Sequence, residues 1–565
     1  MRVLIIGDVG VQDGALHAGD EAMLAEAVRQ LRARGATEVL AVSSTPDDTA
    51  ARYGVVALPR LGFSLARQAD ETQLEARLDA LTRAGEGERG ALQRDDPAHA
   101  VLDAVATCDL VVVAGAGNLS SLWPHHVYER AAIVRIATAL SRPVVVSGQT
   151  VGPTLSERHG ALVREMLRAA RLVGVREAAS AALLARLDDA LAPAATYDDA
   201  LAIAGEAPAG LPERFCAATV PPSTGLWPRD RVVEAMAALL DHVVERHDLD
   251  VVLVPHVAPL DGSLDADAAT HADVVGAMRH AQRVTSLGPV EPAQTAAVVA
   301  ASSLVVSARY HPVVFGLASG IPSVGVTVDE YTETKIAGAL EAHGLGDLTV
   351  PVIAAATGDA AAIVDAAMAI DRAELVARGE HARAEMERWW DAVAATATED
   401  VPAPSIAYAE HLPVVDEALR AEVDRLAAWQ RHQSQALVGS LLIADDLERV
   451  LARHTERVRV LENALGEAEA ARVEAVLRAQ EHEQALTAAH ERLGDVAEPV
   501  IERMWAQTRS RRHLPGEELA YAIAQRDEAF VQRNLMEAEL AAVLSTRMMR
   551  WTSGARRAYR AMRGR

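Results

Sequence analysis

The sequence predicts an α/β protein with two doubly wound, Rossmann-like domains in tandem, followed by a helical region of different character. Three observations predict it. Residues 1–375 alternate short, nearly all-apolar β-branched runs with helical stretches, the pattern of parallel strands covered on both faces. The alternation is interrupted by Gly205-Glu206-Ala207-Pro208-Ala209-Gly210-Leu211-Pro212, a linker by composition, and then restarts. After Pro402 and Pro404 the strand signals cease.

In the first domain, residues 1–204, the expected strands are 3–6, 39–42, 110–113, 143–146 and 172–175. The charged stretch 71–97 reads as an exposed helical excursion. In the second domain, residues 205–375, the expected strands are 215–220, 251–254, 284–287, 304–307 and 323–326. Ligands of open α/β sheets bind outside the carboxyl ends of the strands, so a cleft is expected between two facing sets of loops. Residues 373–394, with Trp389 and Trp390, read as one long helix, so 376–411 is expected to be helix and linker packing back on the first domain.

Residues 412–546 read as helical and coiled-coil. Leu447, Leu451, His454, Val458, Leu461 and Leu465 follow a 4-3 spacing, which weakens through Ala468, Ala475 and Ala479. A helical hairpin folded on the body is the other reading. Residues 547–565 carry seven arginines and no acid, interspersed with Met548, Met549, Trp551, Tyr559 and Met562. This basic amphipathic tail suits either an anionic membrane surface or plain solvation.

Composition narrows the function classes. The chain has 565 residues and a formal charge of −24, which repels nucleic acid. Cys108 and Cys216 lie in apolar runs, so buried free thiols are expected and a Cys-based metal site is excluded. That usage fits a reducing cytoplasm. No apolar run reaches transmembrane length. Lys335 is the single lysine among 55 Lys+Arg residues. An ammonium is a compact point charge where a guanidinium is a broad fork, so a tight anion site would need this residue as it is.

Several strand ends carry chemistry. Gly7-Asp8-Val9-Gly10 leads to Gly19-Asp20-Glu21, where Asp20 reads as the N-cap of a helix over 21–32 and Asp20 and Glu21 as partners for acceptor hydroxyls. Gly115-Ala116-Gly117-Asn118 and Gly148-Gln149-Thr150-Val151-Gly152-Pro153 mark two more strand ends, with Gln149 expected to point into the cleft. Arg176 either reaches the cleft or pairs with Glu177. His256 ends a strand of the second half. Arg309-Tyr310-His311-Pro312 ends another, with Pro312 in the first turn of the next helix. A forked cation, a titratable ring, a helix N-terminus and a nearby lysine form an anion trap with an acid–base group inside it.

Together Gly19-Asp20-Glu21, Gly115-Ala116-Gly117, Gly148-Gln149-Thr150-Val151-Gly152-Pro153, Val175-Arg176-Glu177, Arg309-x-His311, Gly320-Ile321-Pro322 and Lys335 resemble the polysaccharide pyruvyl transferase family. The resemblance covers roughly residues 1–345. It departs at Gly115-Ala116-Gly117-Asn118, where the family usually has three glycines. It implies a GT-B-like pair of domains and transfer of the pyruvyl group of phosphoenolpyruvate (PEP) to a sugar as a ketal. On that reading Arg309 and Lys335 bind the phosphate and carboxylate, and Arg176 is an additional anion contact. His311 is the acid–base or a further PEP ligand. Asp20 or Glu21 orients or deprotonates the acceptor, and Gln149, Gly117 and Asn118 line the substrate site.

The implied partners are PEP as co-substrate, with no further cofactor and no metal, and a free or lipid-linked saccharide. A homo-oligomer through the coiled coil is a further expectation. The expected location is the cytoplasm, with peripheral contact at the inner face of the plasma membrane through the tail. Two other functions compete: a GT-B glycosyltransferase or epimerase using a nucleotide sugar, and a non-catalytic scaffold for envelope assembly.

Overall fold

The computed structural model describes residues 1–436, except 12–14, 64–69, 226 and 260–266. The coiled-coil series and the arginine tail lie outside the described residues. Residues Met1–Ser434 belong to one compact unit that holds both α/β domains.

The strands in chain order are β1 (Arg2–Ile6), β2 (Ala15–His17), β3 (Glu38–Ser43), β4 (Val56–Pro59), β5 (Leu110–Val113), β6 (Ala116–Leu119), β7 (Val144–Val151), β8 (Leu172–Val175) and β9 (Ala194–Ala195). They continue with β10 (Phe215–Thr219), β11 (Asp250–Leu253), β12 (Val257–Pro259), β13 (Val284–Ser286), β14 (Leu304–Ser307), β15 (Ser323–Thr327) and β16 (Thr349–Pro351). The first sheet runs β4-β3-β1-β5-β7-β8-β9, with β6 beside β7; the second runs β13-β11-β10-β14-β15-β16. All pairings within both sheets are parallel. These are two Rossmann-like domains in tandem. The strand order reverses between β1 and β5 and between β10 and β14, so each domain opens a crevice at those carboxyl ends.

The central strands form because both faces are covered. Leu110, Val111, Val112 and Val113 are fully buried, as are Leu304, Val305 and Val306. Residues 71–97 are not the exposed excursion expected. The helix Glu71–Gly85 buries Leu74, Leu78 and Leu81 and packs on the helix Pro124–Ala139. The leucines recur at 4-3 spacing on one face, and the charges that suggested exposure occupy the rest.

The domains are joined by a short antiparallel pair, β2 with β12, in which Val257 faces His17. Beside it the Ala18 N–H donates to the His256 carbonyl at 2.9 Å. That bond occupies one of the free donors of the next helix, Ala18–Ala33, which therefore starts three residues before the expected position. Asp20 is in its first turn and is not its N-cap.

The helix Arg372–Ala395 reaches both domains. Trp389 is fully buried and donates its indole N–H to Ser147 Oγ at 2.8 Å. Near its start, Gly379 packs against the end of the helix Tyr310–Ala318; a Cβ there would lie 2.6 Å from the Ala318 carbonyl oxygen. Residues 417–436 form a further helix on the second domain, where the Gln430 amide donates to the Thr327 carbonyl at 3.0 Å.

Candidate active site

The site is built where the two crevices meet. From the second domain, β14 ends at Ser307 and the helix Tyr310–Ala318 begins with Arg309 as its N-cap residue. His311 is therefore in the first turn and projects across to the first domain. A Cβ on Gly19 would lie 1.8 Å from His311 Nδ1, so the ring rests against bare backbone of the helix Ala18–Ala33. Burial, together with Arg176, Lys335 and Arg309, lowers its pKa to about 4 despite the opposing charge of Asp198. It is neutral at neutral pH.

Lys335 comes from the helix Glu330–Ala342. Asp329 and Thr332 form a capping box at its start, with the Thr332 N–H donating to Asp329 Oδ1 at 2.7 Å. Tyr331 and Lys335, four residues apart, then share one face, and the ammonium sits 3.9 Å from the Tyr331 ring centroid. The Tyr331 hydroxyl donates to the Gly117 carbonyl across the cleft. Among the described residues Lys335 forms no ion pair with a carboxylate, leaving its charge available to a ligand.

Arg176 follows β8 and is buried. Its guanidinium pairs with Asp198, donates through Nε to Thr150 Oγ1 at 3.0 Å and Glu177 Oε1 at 3.1 Å, and stacks 4.4 Å from the Tyr310 ring centroid. Of the two alternatives open in the sequence, the pairing with Glu177 is formed, and the side chain is buried rather than open to the cleft. Gly117 is where these parts converge. A Cβ there would lie 3.0 Å from Lys335 Cδ, 3.2 Å from the Tyr331 hydroxyl and 3.3 Å from Arg176 Nη2.

Asp20 belongs to this centre electrostatically. Its side chain is 24% exposed and lies 3.8 Å from His17 Nδ1, yet desolvation and the nearby Asp8 raise its pKa to about 8, against the pull of Lys335 and Arg176. Arg309 is half-exposed and anchored by the buried Asp267, which also accepts the His256 and Val257 backbone N–H groups at 2.9 Å each.

Glu21 and Gln149 have other work. Glu21 is buried, accepting the Gly10 N–H at 2.8 Å on one oxygen and the Tyr53 hydroxyl on the other. Gln149 does not point into open cleft: it is fully buried and its amide donates to the Ala114 and Ser147 carbonyls. Both hold the glycine loops in shape. Asn118 donates to Asp8 Oδ2 at 3.4 Å.

Sequence reasoning missed three acidic residues. Asp8 follows β1 and lies 3.1 Å from His126 Nε2 and 3.6 Å from Arg60 Nη1. Burial alone would raise its pKa, but His126, Arg130 and Arg60 hold it well below the usual carboxylate range. Asp198 and Asp199 follow β9. Asp199 binds the Gly115 N–H at 2.8 Å and Ser147 Oγ at 2.7 Å, and burial raises its pKa to about 7. Their signal was weak: one acid after a glycine-marked strand and an adjacent pair after a two-residue strand.

No curated protein matches the chain. Among solved structures it is similar to the UDP-GlcNAc 2-epimerase of Methanocaldococcus jannaschii, at 9% identity and TM-score 0.39, covering 76% of this chain and 100% of that one. It is also similar to the sucrose-phosphate synthase of Thermosynechococcus elongatus, at 16% identity and TM-score 0.42, covering 70% of this chain and 96% of that one. The model of the family described as polysaccharide pyruvyl transferase matches residues 17–330, from the end of β2 to the first residue of the helix that carries Lys335. The chain belongs to that family of transferases.

Proposed function

We propose that this cleft transfers the pyruvyl group of PEP to a sugar of a cell-surface polysaccharide or its lipid-linked precursor, forming a ketal. The observation that carries the proposal is Lys335: a cation with no carboxylate in ion-pair contact among the described residues, its acidic neighbour Asp20 being protonated at neutral pH, close to Arg176 and beside a neutral histidine at a helix N-terminus. Such a site suits a compact polyanion. In this reading Lys335 and Arg309 hold the phosphate and carboxylate, and Arg176, already paired with Asp198 and Glu177, is an additional contact through its Nη2 edge near Gly117.

The reaction then needs one proton delivered and two removed. Protonation of the PEP methylene makes a methyl group and leaves an oxocarbenium-like carbon. One sugar hydroxyl adds to that carbon, phosphate departs, and a second hydroxyl closes the ketal. One hydroxyl proton replaces the proton delivered, and the other leaves with phosphate. Asp20, with its pKa raised to about 8, carries a proton at neutral pH and is suited to deliver it. His311, with its pKa near 4, is suited to take one from the acceptor. No cofactor beyond PEP enters this scheme, and the reaction is assigned to the cytoplasmic side, where a lipid-linked acceptor would be met.

The scheme has a pH signature. Loss of the Asp20 proton should lower kcat/KM as pH rises through about 8, and protonation of His311 should lower it as pH falls through about 4. In Asp20→Asn the alkaline limb should disappear along with most of the rate; an unchanged limb would assign it to another group. The donor is tested by thermal unfolding and by mass. PEP should protect the protein and add a pyruvyl mass to free or lipid-linked glycans, whereas protection by a nucleotide sugar alone would assign a glycosyl transfer or epimerisation.

Lys335→Arg should lose most turnover although the charge is kept. The stem of Lys335 runs 3.0 Å from the position of a Gly117 Cβ, which leaves little width for a guanidinium. Normal kinetics in that variant would show that the lysine's compactness is not used.

A further inference from the structure

We infer that His242, His247 and Asp365 form a binding site for a divalent metal ion of the zinc class, on the second domain and away from the cleft. His242 and His247 lie in the last turns of the helix Arg229–His247, and Asp365 is on the helix Asp359–Met368. His242 Nε2 and His247 Nε2 each lie 2.8 Å from the same oxygen, Asp365 Oδ1. Among the described residues this is the one group of three potential ligands whose donor atoms converge within 4.8 Å.

The convergence is the argument. A carboxylate offers about four lone-pair sites over two oxygens, so two imidazole donors bound by hydrogen bonds alone have no need to share one oxygen. Here Oδ2 has only the distant Arg246, whose Nε is 4.0 Å away on a largely exposed side chain. The rings stand nearly perpendicular, at 80° with centroids 6.0 Å apart, and both Nε2 atoms meet the same carboxylate oxygen. Zinc takes His nitrogen and carboxylate oxygen at about 2.0–2.2 Å, which separates tetrahedral ligands by roughly 3.3 Å. The present 2.8 Å spacings reach that with a small opening of the cluster.

The donor set also selects the ion. Two imidazoles and one carboxylate suit Zn²⁺, Co²⁺ or Ni²⁺ and suit calcium and magnesium poorly, since these prefer all-oxygen shells. All three side chains are partly exposed, so the ion can enter from solvent and a water can complete the shell. The role is structural. His247 ends its helix three residues before Asp250, the first residue of β11, so the site lies at the amino edge of the second sheet. The cleft lies at the carboxyl edge. A bound ion would tie together helices whose ligands are 118 and 123 residues apart in sequence, so the sequence alone could not place Asp365 with the two histidines.

The test uses the full chain stripped with a chelator and titrated with Zn²⁺ near neutral pH. One equivalent should bind and raise the thermal midpoint, and Co²⁺ should give a visible d–d band. Asp365→Asn and the pair His242→Gln with His247→Gln should each weaken binding about tenfold or more. Their metal-free thermal midpoints report whether the variants fold, and PEP protection should be unchanged in them. The chain has 19 histidines, so loss of binding in these variants is what separates the site from stray coordination. Absence of saturable binding, or wild-type affinity in folded variants, would overturn the site.

Discussion

Gly19→Ala should abolish most turnover while leaving the protein folded. A Cβ at this position would lie 1.8 Å from His311 Nδ1, 2.2 Å from Cε1 and 2.4 Å from Cγ. No shift of a few tenths of an ångström relieves such a clash. The ring is also enclosed on its other sides, with the Tyr310 and Phe315 ring centroids at 5.0 and 6.0 Å. It must swing out, or the two domains must separate at the β2–β12 join. A displacement of about 1 Å in a reacting group costs on the order of a hundredfold in rate. The stability change should be smaller. Overpacking costs about 1–3 kcal/mol, and replacing glycine inside a helix recovers up to about 1 kcal/mol. The measurement is kcat/KM beside the thermal midpoint. Wild-type kcat/KM would mean that His311 takes no part, because its ring cannot remain where it is.

The fold was legible where strands are buried on both faces. Residues 110–113, 172–175 and 304–307 are strands with the bounds expected from their apolar runs. Strands lacking that signature were not legible. β4 is a half-exposed edge, β9 has two residues, and β2 with β12 exists only because two domains meet. At the site, sequence reasoning could find strand ends and residue types but not the direction of a side chain. Asp20 and Glu21 are adjacent, yet one enters the electrostatics of the cleft and the other is buried between Gly10 and Tyr53. Gln149 follows a glycine at positive φ, which turns its amide back onto the loop carbonyls. Asp198 became visible only when the fold brought it to Arg176.

Arg176→Met should be the most destabilising change at the site, and its pH dependence should identify the cause. The native guanidinium faces two buried carboxylates, Asp198 and Glu177, whose side chains are 2% and 0% exposed. Removing it leaves both in a nonpolar setting without their cation, and breaking a buried pair in this way costs about 3–5 kcal/mol. Burial raises the Glu177 pKa, while at Asp198 burial is outweighed by Arg176 foremost, with His311, the Ala200 N–H and Tyr310, so that its pKa stays low. Without Arg176 both folded-state values rise above their unfolded ones. A carboxyl whose folded pKa is raised regains stability as pH falls, because the protonated form no longer needs a partner. The deficit against wild type should therefore be largest above neutrality and should narrow on acidification. Wild type should show the opposite trend from Asp198, losing stability as pH falls through its depressed folded value. Denaturant unfolding of both proteins at neutral and mildly acidic pH separates the two. If the deficit is the same at both, packing rather than uncompensated charge is responsible, and Arg176 is then held in place by its stack on Tyr310 more than by its acids.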